Sequence, residues 1–518
     1  MSGSARPRGA LGGLALGALA LGALALLGGC PRETPVAPAT TGPLDARPTL
    51  GPVVPYRAPA AVQFRTAAGL EVWLVERHTQ PIVAASLVVR AGSSQDPPGK
   101  GGLAFVTGQM LDEGAGELDA LGIAAAFDDR GAELSIDVGH DGSRVDLVVL
   151  KQHFAGAFDA VGAIVARPRL AAADWERVSK EWLNDLAMRD DDADAVARVV
   201  TRAVLYGPDT GYGAPADGRV DSARGIVLDD VRAFYASHWL PGNAVLAVAG
   251  DVTRSELEAV VEHALGTWKA APTAPSRPVP PPLDARPRFV LVDRKEAPQS
   301  VIAVARPGVA AADADAAPLE LVNAALGGSF TSRLNQNLRE THHWTYGAGS
   351  RFYETVALGP FSARAAVETP ATAPALTEML REIEQMHAKG LDETEHKKVR
   401  AKDLLDLLET NESASGLAAR LGTLALLGLG SDHDARAGVA RQAASLADLA
   451  ALAARYLDLS QATVVVVGPK DEVLAPLGAL GLGEPALWAA DGRPLGTLPP
   501  APPITTKDPP KWPGEPQR

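Results

Sequence analysis

Histidine is the residue type whose spacing would most directly reveal a metal site in this 518-residue chain. Ten histidines are present, but none lies in a His-x-x-x-His or His-x-x-Glu-His arrangement, which would place two imidazoles on one face of a helix. His342 and His343 are adjacent and therefore point in different directions. Asp432, His433 and Asp434 could coordinate a metal weakly, but we interpret them as a solvated loop. The histidine pattern therefore predicts no catalytic metal bound by this chain.

Cys30 is the only cysteine, so an intrachain disulfide is impossible and a thiol nucleophile in the folded part is excluded. Arg6 and Arg8 precede an apolar run at about 11–27, which ends in Leu-Gly-Gly-Cys. This pattern predicts a lipoprotein signal peptide over residues 1–30, whose end resembles a bacterial lipobox with Cys30 as the acylated mature N-terminus. One lipid would tether the chain to a membrane surface. The alternative is an uncleaved membrane anchor, although the run is short and glycine-rich for a spanning helix.

Composition indicates a folded globular protein of two to four domains, with 46% hydrophobic and 21% charged residues. The formal net charge of -13 excludes nucleic acid as an expected partner, because phosphate binding needs clustered Lys and Arg. Proline-rich stretches predict a tether at 31–58, a connector at 271–288 and an extended C-terminal tail at 481–518. They separate two halves of similar length, 59–270 and 289–480.

The two halves repeat the same strand-like segments at almost the same spacing. VWLVERHTQPIVAASLVVRAG begins the first half and FVLVDRKEAPQSVIAVARPG begins the second, each predicting a strand, a polar turn and a second strand. AVLAVAGDVTRSEL near the end of the first half matches ATVVVVGPKDEVL in the second. Leu74 and Leu291 are 217 residues apart, and Gly250 and Gly468 are 218 apart. Two distant anchor points with nearly one offset indicate an internal duplication of a unit of about 200 residues.

Helical and strand patterns alternate within each half. KGGLAFVTGQMLDEG, LDALGIAAAFDDRG, APLELVNAAL and SRLNQNLRE have the apolar spacing of helices, as do most of 161–205 and 371–427. ELSIDVG alternates like a half-buried strand, and TYGAGSRFYE and LGPFSARAAVE predict paired strands. The fold class predicted for each half is therefore an α+β sandwich.

Three stretches resemble the superfamily of pitrilysin, insulin-degrading enzyme and the mitochondrial processing peptidase, and the likeness covers roughly residues 60–480. They are GKGGLAFVTGQMLDEGAG, LYGPDTGYGAPADGRVDSARGIVLDDVRAFYASHWLPGNAVLAVAGDV and GGSFTSRLNQNLRETHHWTYGAGSRFYE. The resemblance implies two homologous halves, each a mainly antiparallel sheet packed with helices, that form a clam shell around an extended peptide. ELSIDVG would then offer a sheet edge for peptide strand addition.

The resemblance also locates a zinc site that the chain has lost. The register of the His-x-x-Glu-His motif puts Phe105 at the first His, Gly108 at the Glu and Gln109 at the second His. The distant acidic ligand falls on Asp185, which is 76 residues after Gln109. Phe and Gly offer no donor atom, Gln is a weak neutral ligand, and no general base remains to activate water. No zinc is therefore expected in this chain.

Arg339 and Tyr346 match a pair that, in active relatives, reaches the active site from the second half. Their spacing of seven residues is kept here. The resemblance implies that the Arg holds substrate and that the Tyr hydroxyl stabilises charge on the carbonyl oxygen. The alternative is that Arg339 pairs with a local Glu and that Tyr346 only packs.

Two functional hypotheses follow from this combination. The first is a non-catalytic subunit in the bacterial cell envelope, facing the periplasm, that lends Arg339 and Tyr346 to a homologous zinc-bearing partner which hydrolyses peptides. The second is an inactive peptide-binding or scaffold protein of the envelope. An enzyme active by itself would need a metal that the ligand positions do not support.

Overall fold

The computed structural model describes residues 58–271, 276, 279–295 and 297–496. The predicted signal peptide, Cys30, nearly all of the tether, part of the connector and the tail beyond 496 lie outside these residues. Among the residues described, no helix has both the length and the apolar character needed to cross a membrane.

The first half contains eight strands. They are β1 (Val62–Arg65), β2 (Glu71–Glu76), β3 (Ile82–Val89), β4 (Gly114–Ala115), β5 (Leu118–Asp119), β6 (Glu133–Val138), β7 (Ser143–Leu150) and β8 (Ala244–Gly250). Six of them form a sheet in the order β1-β2-β8-β3-β7-β6, and β4 and β5 form a separate two-stranded ribbon. Every residue of the central strand β8 is buried, which fits its unbroken apolar sequence AVLAVAG.

The second half contains six strands, all in one sheet. They are β9 (Phe289–Asp293), β10 (Gln299–Pro307), β11 (Ala348–Phe352), β12 (Pro360–Glu368), β13 (Thr463–Gly468) and β14 (Ala486–Leu487). In the order β14-β9-β13-β10-β12-β11, the five strands from β9 to β11 repeat the arrangement β2-β8-β3-β7-β6 of the first sheet, whereas the edge strands β14 and β1 come from opposite ends of their halves. Leu74 lies opposite Val248 in a parallel pair, and Leu291 lies opposite Val466 in the same way. The remaining pairs are antiparallel except for β14–β9, so the fold-class prediction is confirmed.

Helices surround both sheets. In the first half they are α1 (Leu103–Gln109), α2 (Ala120–Asp128), α3 (Phe154–Ala166), α4 (Ala172–Asp191), α5 (Ala193–Tyr206), α6 (Val220–Gly225), α7 (Leu228–His238) and α8 (Arg254–Leu265). In the second half they are α9 (Ala316–Leu326), α10 (Arg333–Asn335), α11 (Thr372–Lys389), α12 (Glu393–Glu412), α13 (Ala414–Leu426), α14 (His433–Ala443), α15 (Leu446–Tyr456) and α16 (Lys470–Gly478). Capping boxes begin α8, α12 and α15, where Thr253, Asp392 and Ser445 accept from the third helical N–H.

The halves exchange one helix each. The apolar side of α5, from the first half, packs on the second sheet around Val301 and Val465. The apolar side of α13, from the second half, packs on the first sheet around Trp73 and Ala247. Each sheet is therefore covered on one face by a helix that belongs to the other half, and the two halves share their cores.

Two arginines at equivalent positions donate hydrogen bonds from each half to backbone carbonyl groups of the other half. Arg294, which follows β9, donates 2.6 Å hydrogen bonds to the carbonyl oxygens of Asp190 and Asp191 at the end of α4. Arg77, which follows β2 and is 217 residues earlier, donates to the carbonyl oxygen of Asn411 near the end of α12. A guanidinium at a helix C-terminus satisfies carbonyl groups that lack a partner within the helix.

The strands on either side of each predicted polar turn, β2 with β3 and β9 with β10, are separated in the sheet by β8 or β13. Two details differ from expectation. Asp432, His433 and Asp434 are not a solvated loop: His433 begins α14, and the buried Asp434 pairs with Arg420 at 2.7 Å. The tail predicted from 481 contains β14 and a buried Trp488, because the apolar strand completes the sheet edge.

Candidate functional site

Helix α1 carries the positions of the lost metal motif and is held tightly at its start. The Asp96 carboxylate accepts hydrogen bonds from the N–H groups of Gly102 and Ala104, at 2.7 and 2.8 Å. Gly102 has a φ of 92°, and a Cβ built there would lie 2.6 Å from the Trp182 ring. Only glycine suits both the backbone conformation and this close approach. The helix is therefore pressed against α4, which carries Trp182.

The four predicted ligand positions lie on the neighbouring helices α1 and α4, and apolar packing occupies two of them, Phe105 and Gly108. The half-buried Phe105 ring lies with its centroid 6.4 Å from that of Trp182. Gly108 is buried, and a Cβ there would lie 2.6 Å from a methyl group of Val138 on β6. Gln109 is exposed one turn after Phe105. These side chains do not fit zinc, since none of the three offers an imidazole or a carboxylate.

Asp185 is exposed on α4, one turn after the buried Trp182. A single exposed carboxylate does not hold a divalent cation against water. In the part of the chain that the structure describes, no group of three or more His, Cys, Asp or Glu side chains is arranged to hold a metal ion.

Two acidic residues follow α1 and could be mistaken for replacement catalytic groups. Desolvation raises the pKa of the Asp112 carboxyl above its usual value. Desolvation also raises the pKa of Glu113, against the opposing effect of the Arg177 guanidinium on α4 with which it pairs. We assign Glu113 a role in joining α1 to α4, because its charge is already paired.

Strand β6 lies at the edge of the first sheet and pairs only with β7. Glu133, Ser135 and Asp137 are exposed, whereas the alternate side chains are half-buried against the core. Within the described residues, no backbone hydrogen bond to another segment covers the outer side of β6. The sheet edge predicted from ELSIDVG is therefore present and open.

The segment with Arg339 and Tyr346 has an unusual backbone. Residues Gln336–Thr341 form a π-helix, a rare form that is frequent at functional sites. His343 has a φ of 59°, an uncommon conformation for a residue other than glycine. The rings of His342 and Trp344 stack with their centroids 4.1 Å apart, which restrains the backbone just before Tyr346.

Arg339 and Tyr346 both reach solvent. The Tyr346 residue is 91% exposed, and the Arg339 side chain is 37% exposed. The guanidinium lies 4.6 Å from the centre of the Phe330 ring and 3.5 Å from the Glu340 carboxylate. Neither contact uses the guanidinium as a bidentate fork, so several donors remain available. In the described residues, no hydrogen bond or ion pair joins either side chain to the first half.

Asn337 joins the π-helix to α11. Its side-chain amide donates to Glu378 at 2.7 Å and to Glu382 at 2.6 Å, both on α11. Asn337 and Phe330 were not predicted from the sequence. The partners of Asn337 lie more than 40 positions away on α11, and the partner of Phe330 is Arg339 in the π-helix. The only available signal was their position beside Arg339 in the GGSFTSRLNQNLRE stretch.

Comparison with known proteins places the chain in a family. The family model described as "Insulinase (Peptidase family M16)" matches residues 71–206, and "Peptidase M16 inactive domain" matches residues 225–402. Together the two models span more than half of the chain. The chain belongs to peptidase family M16. It is a non-catalytic member, and the motif positions predicted from the sequence hold Phe105, Gly108 and Gln109.

Individual relatives are more distant. An "Uncharacterized zinc protease" of Mycobacterium leprae is 28% identical over 56% of this M16 chain and 66% of its own length. The "Non-peptidase homolog YmxG" of Helicobacter pylori is 25% identical over 51% of this chain and 60% of its own length. The match thus spans less than two thirds of the length of each of these two relatives. A solved "peptidase M16 inactive domain" of Pseudomonas fluorescens shares the fold, with a TM-score of 0.73, 24% identity and coverage of 79% of this chain and 98% of that one.

Proposed function

We propose that this M16 chain is the non-catalytic subunit of a heterodimeric zinc peptidase of the bacterial cell envelope. It lends Arg339 and Tyr346 to the active site of a homologous, zinc-bearing partner that hydrolyses peptides. The observation that carries the proposal is the contrast between the two candidate sites. Phe105 and Gly108 at the predicted motif positions pack against Trp182 and Val138, whereas Arg339 and Tyr346 are exposed and open to a second molecule.

Each side chain has a distinct role in this proposal. The Arg339 guanidinium is a permanent cation that donates to a substrate carbonyl or carboxylate. The Tyr346 hydroxyl donates to the carbonyl oxygen as negative charge develops on it, which favours the transition state over the bound peptide. The metal that activates water belongs to the partner and not to this chain.

The experiment is reconstitution with a homologous M16 chain that has an intact His-x-x-Glu-His motif. Peptide hydrolysis is measured for each chain alone and for the mixture, with wild type, Arg339→Ala and Tyr346→Phe. Loss of one donor to the developing charge typically lowers kcat by about 100-fold or more. We therefore expect Tyr346→Phe to lower kcat and Arg339→Ala to raise KM as well, both without loss of complex formation.

Arg351→Ala and Tyr353→Phe are matched controls in the same half. These two residues also form an Arg–aromatic pair, 5.5 Å apart, on or next to β11. They should leave hydrolysis by the mixture unchanged. Equal activity of wild type and Tyr346→Phe mixtures, or full activity of the zinc-bearing chain alone, would contradict the proposal.

The second candidate is a peptide-binding or scaffold protein of the envelope, supported by the open edge of β6. Backbone groups at a sheet edge bind extended peptides by strand addition without any metal. Micromolar binding of an extended peptide by this chain alone, lost on Ser135→Pro because the proline ring hinders pairing along β6, would favour this candidate. Absence of such binding, together with activity in the mixture, favours the subunit.

The envelope location rests on the N-terminal pattern alone. Cys30 is proposed to carry the lipid that retains the chain at a membrane surface facing the periplasm. Membrane fractionation of the full chain tests this: Cys30→Ala should move the protein to the soluble fraction, whereas unchanged retention would contradict lipidation at that residue.

A further inference from the structure

Helix α2 presents an apolar face to solvent, although its buried face already contributes to the core. Ile123 and Phe127 point inward and are 3% and 4% exposed. On the other side, four apolar residues form what we call the α2 face: Leu118, Leu121, Ala124 and Ala125. Leu121 is 81% exposed, more than any other large aliphatic side chain in the described residues. A surface helix normally carries polar residues on its outer face, so this one lacks the expected covering.

The ends of the α2 face are acidic. Five exposed carboxylates, which we call the acidic rim, surround it: Glu117, Asp119, Asp128, Asp129 and Glu133. In the described residues none of the five lies within ion-pair distance of a cation. Two guanidiniums near the α2 face are already used, because Arg130 donates to the Ala126 carbonyl and Arg169 to the Leu118 carbonyl. The rim therefore keeps its negative charge available.

The placement of two acids of the rim is locally unfavourable, whereas Asp119 caps the start of α2 by accepting from the Gly122 N–H. Asp128 is the last residue of α2 and Asp129 is its C-cap, and the last turn has no basic residue. The C-terminal end of a helix carries a partial negative charge, so two carboxylates there oppose the helix dipole. A feature that works against the stability of the helix, beside an exposed leucine, is better explained by binding than by folding.

We propose that the α2 face and its acidic rim form a docking surface for a second protein that presents an apolar side chain flanked by Lys or Arg. The apolar face supplies contact area, and the rim supplies complementary charge around it. This inference does not depend on the proposed function, because it involves neither Arg339 nor Tyr346.

Charge separates this occupant from two others. An anionic membrane surface would be repelled by five carboxylates. The chain's own residues 497–518 contain three Lys or Arg residues and two Asp or Glu residues, too little positive charge to neutralise the rim. A separate basic protein segment fits both the apolar face and the rim.

The test measures binding of a fluorescein-labelled, 18-residue amphipathic peptide with Leu on one face and Lys and Arg on the other. Fluorescence anisotropy with the full chain should show saturable binding that weakens as salt rises. Replacing Leu118 and Leu121 by Ser, or Asp128 and Asp129 by Asn, should each weaken binding by about tenfold or more. The Asn pair should also leave the Tm equal to or above wild type, because it removes charges that oppose the helix dipole.

Leu405→Ser with Asp406→Asn is the matched control, since Leu405 on α12 is 52% exposed and has a neighbouring aspartate. That variant should bind like wild type. Equal affinity for a peptide with Glu in place of Lys and Arg, or unchanged binding by both α2 variants, would overturn the proposal. Tighter peptide binding after deletion of 497–518 would show the tail to be the occupant, and binding of the chain to phosphatidylglycerol vesicles through Leu121 would show a membrane; either result also overturns it.

Discussion

The two halves share the arrangement of five strands in their sheets, but their equivalent edges differ. In the first half, β6 leaves its outer backbone groups open, and α1 packs Gly108 against Val138. In the second half, the N–H of Ser350 on β11 donates to the Gly327 carbonyl oxygen at 3.1 Å, so the end of α9 covers part of that edge. After duplication the buried strands kept one arrangement, because every residue in them is constrained by packing, while the edges were free to diverge.

The candidate sites diverge in the same way. The first half has filled its motif positions with Phe105 and Gly108, so α1 contributes packing and no chemistry. The second half keeps Arg339 and Tyr346 exposed on a π-helix and the loop after it. This contrast is the one expected if Arg339 and Tyr346 act, as proposed, on a molecule outside this chain.

The largest effect we expect comes from separating the halves. Expressed alone, residues 59–270 lack α13, whose buried residues facing the first sheet are Leu417, Ala418, Leu421, Leu424 and Ala425. Burial of each large aliphatic side chain contributes about 1.5–3 kcal/mol, so the combined loss approaches the whole stability of a typical domain, about 5–15 kcal/mol. We expect neither half to fold alone and co-expression with 289–496 to restore soluble protein. Circular dichroism and solubility measure this, and a well-folded isolated half would contradict the shared core.

A smaller effect is expected from a single residue of the exchanged helix. Leu421 on α13 is 2% exposed, so Leu421→Ala should lower the free energy of unfolding by about 2–5 kcal/mol. Leu405→Ala on α12 should change it by less than about 0.5 kcal/mol, since Leu405 is exposed. Urea denaturation compares the two. Similar costs for both variants would mean that α13 does not cover the first sheet in solution.

Much of this arrangement was predictable from sequence. The spacing of Leu74 and Leu291 indicated the duplication, and the alternating residues of β6 indicated a half-buried strand. The helix exchange was not predictable, because the pattern of α5 or α13 shows that one side is buried but not which sheet covers it. β14 was missed for a similar reason: two residues are too short for a periodic signal, and only pairing with β9 makes them a strand.

The candidate functional site was also predictable only in part. In the register that the family resemblance implies, Phe105 and Gly108 cannot be metal ligands, since neither side chain has a donor atom. The contacts that replace them, Trp182 and Val138, depend on tertiary packing between distant segments. The same holds for the Asn337 anchor on α11, whose carboxylate partners are more than 40 positions away.

Restoring the zinc motif tests whether the first half lacks only the metal ligands or also the space to hold them. The substitutions Phe105→His, Gly108→Glu and Gln109→His recreate the motif in sequence, but any Cβ at 108 meets Val138. Gly108→Glu alone should cost about 1–3 kcal/mol, as expected for overpacking. We expect the triple variant to retain less than one zinc per chain after dialysis, measured by mass spectrometry. Stoichiometric zinc in that variant would show that the first half needs only ligands to regain its site.

The smallest expected effect concerns a charge pair that only the first half has. The His78 imidazole lies 2.6 Å from the Asp251 carboxylate, and this hydrogen bond raises the pKa of His78 above 6.5. The pair therefore stabilises the fold below about pH 6.5, and the contribution is lost as pH rises through the folded-state pKa. In the second half, Lys295 and Pro469 replace the two partners. NMR titration should place the pKa of His78 above 6.5, and Asp251→Asn should lower it. A histidine introduced by Lys295→His should titrate closer to 6.5 than His78, because the aspartate is missing; equal titration of the two imidazoles would show that Asp251 does not set the difference.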